Sequence, residues 1–97
     1  MKNVLYYLLL GTRGGESRSK ILLRLKDKPS NAHILSKELN YDYKTIKHHL
    51  RVLIKHKIIE KKGTYGGVYF LSRFLDENFS EFDEIWKQLG YNSGKSI

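Results

Sequence analysis

The middle of the chain carries a run of basic and hydrogen-bonding side chains whose types suit contact with a polyanion. The residues concerned are Tyr43, Lys44, Thr45, Lys47, His48 and Arg51. Lysine and arginine donate to the N7 and O6 atoms of guanine, and histidine donates to a purine edge. Tyr43 can pack on a thymine methyl group or reach a phosphate, and Thr45 can contact a phosphate. We predict contacts with double-stranded DNA, and the alternative is a solvated basic face.

A second group of polar side chains surrounds the glycine-rich segment 63–67, whose sequence is GTYGG. Its members are Lys61, Lys62, Thr64 and Tyr65. We interpret this segment as the flexible tip of a β-hairpin. Lysines on such a tip are suited to contacts with the DNA backbone or the minor groove. We predict such contacts here, and the alternative is a solvated tip.

Catalytic and metal chemistry have little support in the sequence. The chain has no cysteine, which excludes disulfides, thiolate metal sites and cysteine nucleophiles. His49 and His56 are separated by about 10.5 Å along a helix, too far for one metal ion with bonds near 2 Å. Glu77, Glu81 and Glu84 are interpreted as a solvated helix face. We predict no catalytic residue, no metal and no cofactor.

The segment Gly11–Gly15, GTRGG, interrupts the regular pattern. It lacks the GxxxxGK[ST] spacing of a phosphate-binding loop, so we interpret it as a hinge before the next helix. The alternative is that Arg13 contacts a phosphate.

The basic run lies on a predicted helix from Tyr43 to His56. Asp42 is the predicted N-cap, because its carboxylate can accept a hydrogen bond from a free N–H of the first turn. Apolar residues recur at helical spacing and predict a buried stripe: Ile46, Leu50, Leu53 and Ile54. His49 is interpreted as a packing or hydrogen-bonding residue.

Further elements surround this helix. A helix from Glu16 or Ser17 to about Asp27 is stopped by Pro29. Its predicted core residues are Ile21, Leu22, Leu23 and Leu25. A following helix is capped by Ser30 or Asn31 and runs through Leu39. Its predicted inward residues are Ile34, Leu35 and Leu39.

After His56 the pattern becomes β-favourable. The runs 58–62 and 68–71 flank the glycine-rich segment and predict an antiparallel hairpin. Tyr69 is predicted to lie in the core.

The region from Arg73 to Leu89 is predicted to be one helix that ends at Gly90. Its apolar residues follow each other at steps of four and three, as in a helix-pairing seam. With the apolar N-terminal helix, it predicts a dimer interface formed by Leu5, Leu8, Leu75, Phe79, Phe82, Trp86 and Leu89. The alternative is that the seam packs on its own domain.

The charge is unevenly distributed. Residues 1–71 hold 15 lysines and arginines against 5 acidic residues, whereas residues 72–97 hold 3 against 5. The basic part favours a nucleic-acid partner. The apolar run 4–10 is far shorter than the roughly 20 residues of a transmembrane helix. We therefore predict no membrane contact and a cytoplasmic location.

These elements predict a mainly α fold with a small β-hairpin (α+β), a winged helix-turn-helix with flanking N- and C-terminal helices. The predicted boundaries are 1–10 for the N-terminal helix and 11–72 for the winged helix-turn-helix. Residues 73–90 form the predicted dimerisation helix and 91–97 a flexible tail.

In this order of elements, the chain resembles the winged-helix regulators of the ArsR-like superfamily. It is most similar to an archaeal branch that carries GTRGG before the first core helix. Three stretches carry the resemblance: GTRGGESR (Gly11–Arg18), YKTIKHHLRVL (Tyr43–Leu53) and KIIEKKGTYGGVYFLS (Lys57–Ser72). The resemblance implies a sequence-specific transcriptional regulator that acts as a homodimer through its terminal helices.

Metal-responsive relatives carry cysteines before the recognition helix or histidines on the C-terminal helix. This chain has ILSKELN and FLDENFSEFDEIWKQLG there, so the resemblance implies no metal and names no effector. We predict a homodimeric repressor that binds an inverted-repeat DNA site with half-sites about 34–36 Å apart. The alternative is a winged-helix module for protein or RNA contacts.

Overall fold

The computed structural model describes residues 2–64 and 66–88 of the chain. Tyr65, Leu89, Gly90 and the predicted tail 91–97 lie outside these residues. The elements are α1 (Lys2–Leu9), α2 (Gly15–Asp27), α3 (Ala32–Leu39), α4 (Tyr43–Lys55), β1 (Ile59–Lys62), β2 (Val68–Leu71), α5 (Arg73–Glu77) and α6 (Phe79–Gln88). This order confirms the predicted fold class, a mainly helical protein with an antiparallel hairpin.

Local side-chain chemistry fixes the turn between α3 and α4. The Asn31 side chain accepts a hydrogen bond of 2.8 Å from the Ile34 N–H and caps α3. Asn40 ends α3 in the left-handed conformation, which asparagine tolerates well. Asp42 then accepts a 2.9 Å hydrogen bond from the Lys44 N–H and caps α4, as predicted. The two helices are therefore joined by a tight, fully specified turn.

The hairpin is tied to the start of α3. Strands β1 and β2 pair in antiparallel register, with Ile59 opposite Leu71 and Lys61 opposite Tyr69. On its other edge Tyr69 exchanges two backbone hydrogen bonds with Ser30, of 3.1 and 2.7 Å. Because this bridge precedes Asn31, the cap of α3, it fixes the hairpin relative to the two helices of the turn.

The core collects one face of each helix. Most of the predicted core residues are buried, including Tyr69. Leu39 is only partly buried, and two others are exposed, since Leu23 and Ile34 are each 41% exposed. Each lies about 100° around its helix from a neighbour that takes the inward position, Leu22 and Leu35 respectively. Ile54, expected in the buried stripe of α4, is only half-buried.

The prediction of a single C-terminal helix is wrong, because the helix is interrupted at Asn78. The Asn78 N–H reaches the carbonyl oxygens of Phe74 and Leu75, and its side-chain amide donates to Phe74. The backbone of α5 therefore ends there, and α6 begins at Phe79.

The apolar seam across α5 and α6 is enclosed within one chain. Leu5, Leu8, Leu75 and Phe82 are at most 2% exposed, and Trp86 is 8% exposed. Phe79 is half-buried against the same core, and Leu89 lies outside the described residues. Helix α1 packs against α2 and α6. The prediction that Leu5, Leu8, Leu75, Phe82 and Trp86 pair with a second subunit is therefore wrong, since α1 and the core of the same chain cover these side chains.

None of the helices in the described ranges has the length and apolar character needed to cross a bilayer.

Candidate nucleic-acid interface

Helix α4 presents a cationic face directly opposite the core. Its buried residues are Ile46, His49, Leu50 and Leu53. At about 100° per residue, the side chains on the opposite face are those of Lys44, His48, Arg51 and, at the end of the helix, Lys55. All four are exposed. These side chains can donate hydrogen bonds to base edges or phosphates in a groove.

Two other predicted contact residues lie on the flank of α4 that faces the hairpin. Tyr43 stacks on His33 of α3, with ring centroids 4.6 Å apart and ring planes 24° apart. The Lys47 ammonium donates to the Tyr69 hydroxyl at 3.3 Å. Lys47, which was predicted among the DNA-contacting residues, is half-buried and lies at the edge of the outward face, one helical turn from Lys44 and Arg51. The exposed Thr45 lies on the opposite flank.

The hairpin brings a further lysine, Lys61, to the same side of the molecule. The Lys61 ammonium lies 5.6 Å from the centroid of the Tyr69 ring, which also contacts Lys47. Lys62 and Thr64 are exposed near the tip. The structure therefore joins the flank of α4 to the predicted wing through Tyr69.

A buried polar network lies behind α4 and was not predicted from the sequence. Arg18 of α2 is only 4% exposed, and its Nη1 atom lies 3.2 Å from Nδ1 of His49. The same guanidinium donates to the carbonyl oxygens of Leu8 (3.1 Å) and Arg13 (2.8 Å) and to the Thr12 hydroxyl. The network thus ties the end of α1 and the GTRGG segment to the inner face of α4.

The sequence held a signal for this network. Positions 18, 21, 22 and 25 follow the spacing of one helix face, which places Arg18 on the apolar stripe of α2. A cation on such a stripe requires several acceptors, and the carbonyl groups near the end of α1 provide them. The C-terminal end of a helix also favours a positive charge.

The two glycines before α2 permit this close approach. Gly14 has a positive φ of 91°, and a Cβ there would lie 2.8 Å from Cε1 of His49. A Cβ on Gly15 would lie 2.0 Å from the Leu9 carbonyl oxygen. The segment Gly11–Gly15, interpreted from sequence as a hinge, is therefore packed closely against α1 and α4.

Burial and the charge of Arg18 lower the pKa of His49 to about 4, with a smaller contribution from His48. The imidazole is therefore neutral at pH 7, and Nδ1 can accept the hydrogen bond from Arg18. Burial also lowers the pKa of Arg18, but a guanidinium remains charged in proteins. Within residues 2–64 and 66–88, no three histidine, aspartate or glutamate side chains converge as metal ligands.

A capped helix pair, a basic second helix and a following antiparallel hairpin define a winged helix-turn-helix protein. Residues 11–66 match the family described as the N-terminal domain of the methanogenesis regulatory protein FilR1. The match covers more than half of the chain, and the chain belongs to this family of winged-helix transcriptional regulators.

Solved structures share the same fold. HlyU from Vibrio cholerae N16961 has a TM-score of 0.67 and 20% identity, covering 93% of this chain and 94% of its own. A probable transcriptional regulator from Pseudomonas aeruginosa has a TM-score of 0.65 and 21% identity, covering 99% and 77%. The regulator YodB from B. subtilis, in its reduced form, has a TM-score of 0.58 and 20% identity, covering 92% and 91%. Among curated proteins, none has a sequence that matches the chain.

Proposed function

We propose that this protein is a sequence-specific regulator that binds double-stranded DNA through α4 and the hairpin. The observation that carries the proposal is the outward face of α4, where Lys44, His48 and Arg51 are exposed opposite a fully buried stripe. Such a face after a helix and a tight turn has the geometry of a recognition helix in the major groove. The cationic hairpin then reaches the adjacent backbone or minor groove.

We further propose that the protein is a homodimeric repressor of the ArsR-like, archaeal type that acts in the cytoplasm. Two protomers related by a two-fold axis would bind an inverted repeat with half-sites about 34–36 Å apart. The sequence resemblance supports the ArsR-like and archaeal assignment. The family match supports the regulatory role.

Because the apolar seam of α5 and α6 is buried within one chain, the proposed dimer contact must involve other side chains. Tyr7 of α1 is 58% exposed and Phe74 of α5 is 55% exposed. Val4 lies one helical turn from Tyr7 on α1. Together with Phe74, it lines an apolar groove of about 420 Å³ between α1 and the base of the hairpin. We propose this face as the contact between protomers, because large exposed apolar side chains favour association.

The experiment is selection of bound sequences from a random duplex pool, followed by measurement of the mass of the complex. A palindromic consensus bound by two protomers is the expected result. A single protomer on a non-palindromic site would contradict the dimer. The absence of salt-dependent duplex binding, together with preferential binding of single-stranded RNA, would contradict the DNA-binding function itself.

A further inference from the structure

A small cavity separates the start of α3, the flank of α4 and the hairpin. Its volume is about 130 Å³. The described residues that line it are Asn31, Ala32, His33, Tyr43, Lys47, Lys61, Thr64, Gly66, Gly67 and Tyr69. The cavity opens on the side of the molecule that carries the predicted DNA contacts.

Two ammonium groups converge on one aromatic ring in this cavity. Lys47 Nζ lies 5.9 Å from the Tyr69 ring centroid, and Lys61 Nζ lies 5.6 Å from it. Lys47 also donates to the Tyr69 hydroxyl. One lysine comes from α4 and the other from β1, opposite Tyr69 in the strand register.

The backbone of the hairpin is adapted to this arrangement. A Cβ on residue 67 would lie 2.5 Å from Cε of Lys61 and 2.7 Å from the Gly63 carbonyl oxygen. Gly67 therefore leaves room for the Lys61 side chain to pass across the hairpin toward the cavity. A larger residue would displace this lysine or open the strands.

The charges of the cavity are unbalanced. Its described lining residues include no aspartate or glutamate. Within the described part of the chain, neither lysine forms an ion pair with a carboxylate. Two like charges near one ring repel each other, and an anion placed between them would relieve the repulsion.

We propose that this cavity binds a single phosphate group of the DNA backbone, held jointly by Lys47 and Lys61 beside Tyr69. The proposal rests on the proposed DNA-binding function and refines it. Lys47 then contacts a phosphate, while base contacts fall to the outward face of α4. Because one phosphate would contact α4 and the hairpin together, it fixes the position of the DNA backbone relative to both elements.

The test is a double-mutant cycle on duplex binding with the full chain. We expect Lys47→Met and Lys61→Met each to weaken binding roughly tenfold, as for loss of a charged hydrogen bond. If the lysines share one phosphate, the double variant binds about as weakly as either single variant. The slope of log K against log salt then falls by about 0.9, the value for one phosphate. Thermal unfolding checks that each variant remains folded.

The matched control pair is Lys44→Met and Lys62→Met, two exposed lysines on different elements whose effects should multiply. If the affinity losses of Lys47→Met and Lys61→Met multiply in the double variant, and its salt slope falls by about 1.8, the two lysines contact two separate phosphates. That result would overturn the proposal. Unchanged affinity in both single variants would also overturn it, while leaving duplex binding by the native chain intact.

A second arm distinguishes a backbone phosphate from a free one. Inorganic phosphate, at ionic strength matched with chloride, is expected to displace the duplex no better than chloride does. Saturable displacement by inorganic phosphate, lost in the double variant, would assign the cavity to a free anion and overturn the backbone assignment. If the native chain shows no salt-dependent duplex binding, the proposed function itself fails.

Discussion

The Nη1 atom of Arg18 lies 3.2 Å from Nδ1 of His49, inside the protein and behind the helix proposed to contact DNA. Arg18 belongs to α2 and His49 to α4, so the contact joins two elements that are distant in the sequence. Since the other hydrogen bonds of the guanidinium reach α1 and the GTRGG segment, this one side chain links α4 to both.

The first prediction concerns acid stability. The pKa of His49 is about 4 in the folded protein and near 6.5 in an unfolded chain. Between these values the unfolded state binds the additional proton, so the free energy of unfolding falls as the pH decreases from about 6.5 to 4. The contribution is at most roughly 3 kcal/mol. Urea unfolding at pH 7.5 and pH 4.5 measures it.

The control for this prediction is His49→Gln, which retains an acceptor for Arg18 but does not titrate. The variant should lose less stability than the native chain between the two pH values. His48→Gln, on the exposed face, should follow the native profile. Parallel profiles for the native chain and His49→Gln would contradict the assigned role of the imidazole.

The second prediction concerns Arg18 itself. Arg18→Met removes the donors from His49 and from two backbone carbonyl groups. Two of these acceptors, the Leu8 carbonyl oxygen and Nδ1 of His49, are buried, and leaving a buried acceptor unsatisfied costs about 1–3 kcal/mol. We expect the free energy of unfolding to fall by about 2–6 kcal/mol, measured by urea denaturation. Arg13→Met, on an exposed side chain of the same segment, should change it by less than about 0.5 kcal/mol.

The third prediction separates the core seam from the proposed dimer contact. Phe82 is fully buried, so Phe82→Ala should lower the free energy of unfolding by about 3–5 kcal/mol. Phe74→Ser, at a residue that is 55% exposed, should preserve the fold but weaken self-association. Sedimentation and thermal unfolding across a range of protein concentrations measure the two effects. A Phe74→Ser variant that self-associates like the native chain would exclude this face as the dimer contact.

The parts of the fold that depend on contacts between residues close together in the sequence were predictable. The Asp42 cap joins a carboxylate to an N–H two residues away, and the β-favourable runs around a glycine-rich segment predict a hairpin directly. The type of each local contact follows from the residue alone. The helix-turn-helix and its basic face could therefore be placed from the sequence.

Contacts between distant segments were not predictable in the same way. Periodicity showed that Phe82 and Trp86 share an apolar face, but the same pattern fits packing on α1 or on a second subunit. The Ser30–Tyr69 bridge has no local signature, because any exposed strand edge can accept such a pairing. The hydrogen bond from Lys47 to the Tyr69 hydroxyl was not predictable either, because the spacing of Lys47 on α4 does not reveal which strand residue lies beside it.

The fourth prediction distinguishes base contacts from phosphate contacts. His48 lies on the outward face of α4, so His48→Ala should weaken binding to the selected site by about 1–3 kcal/mol and leave nonspecific binding nearly unchanged. Lys62→Ala should weaken binding to all sequences and reduce the salt slope by about 0.9. Fluorescence anisotropy with selected and scrambled duplexes at several salt concentrations measures both effects.

The control for this comparison is Lys87→Ala. The Lys87 side chain is exposed on α6, outside the proposed DNA interface and not among the residues that line the groove proposed as the protomer contact. The variant removes one positive charge from the molecule without removing a proposed contact, so its salt slope should equal that of the native chain. If His48→Ala instead weakens selected and scrambled duplexes equally, His48 contacts the backbone. Base recognition would then depend on the remaining outward side chains, Lys44 and Arg51.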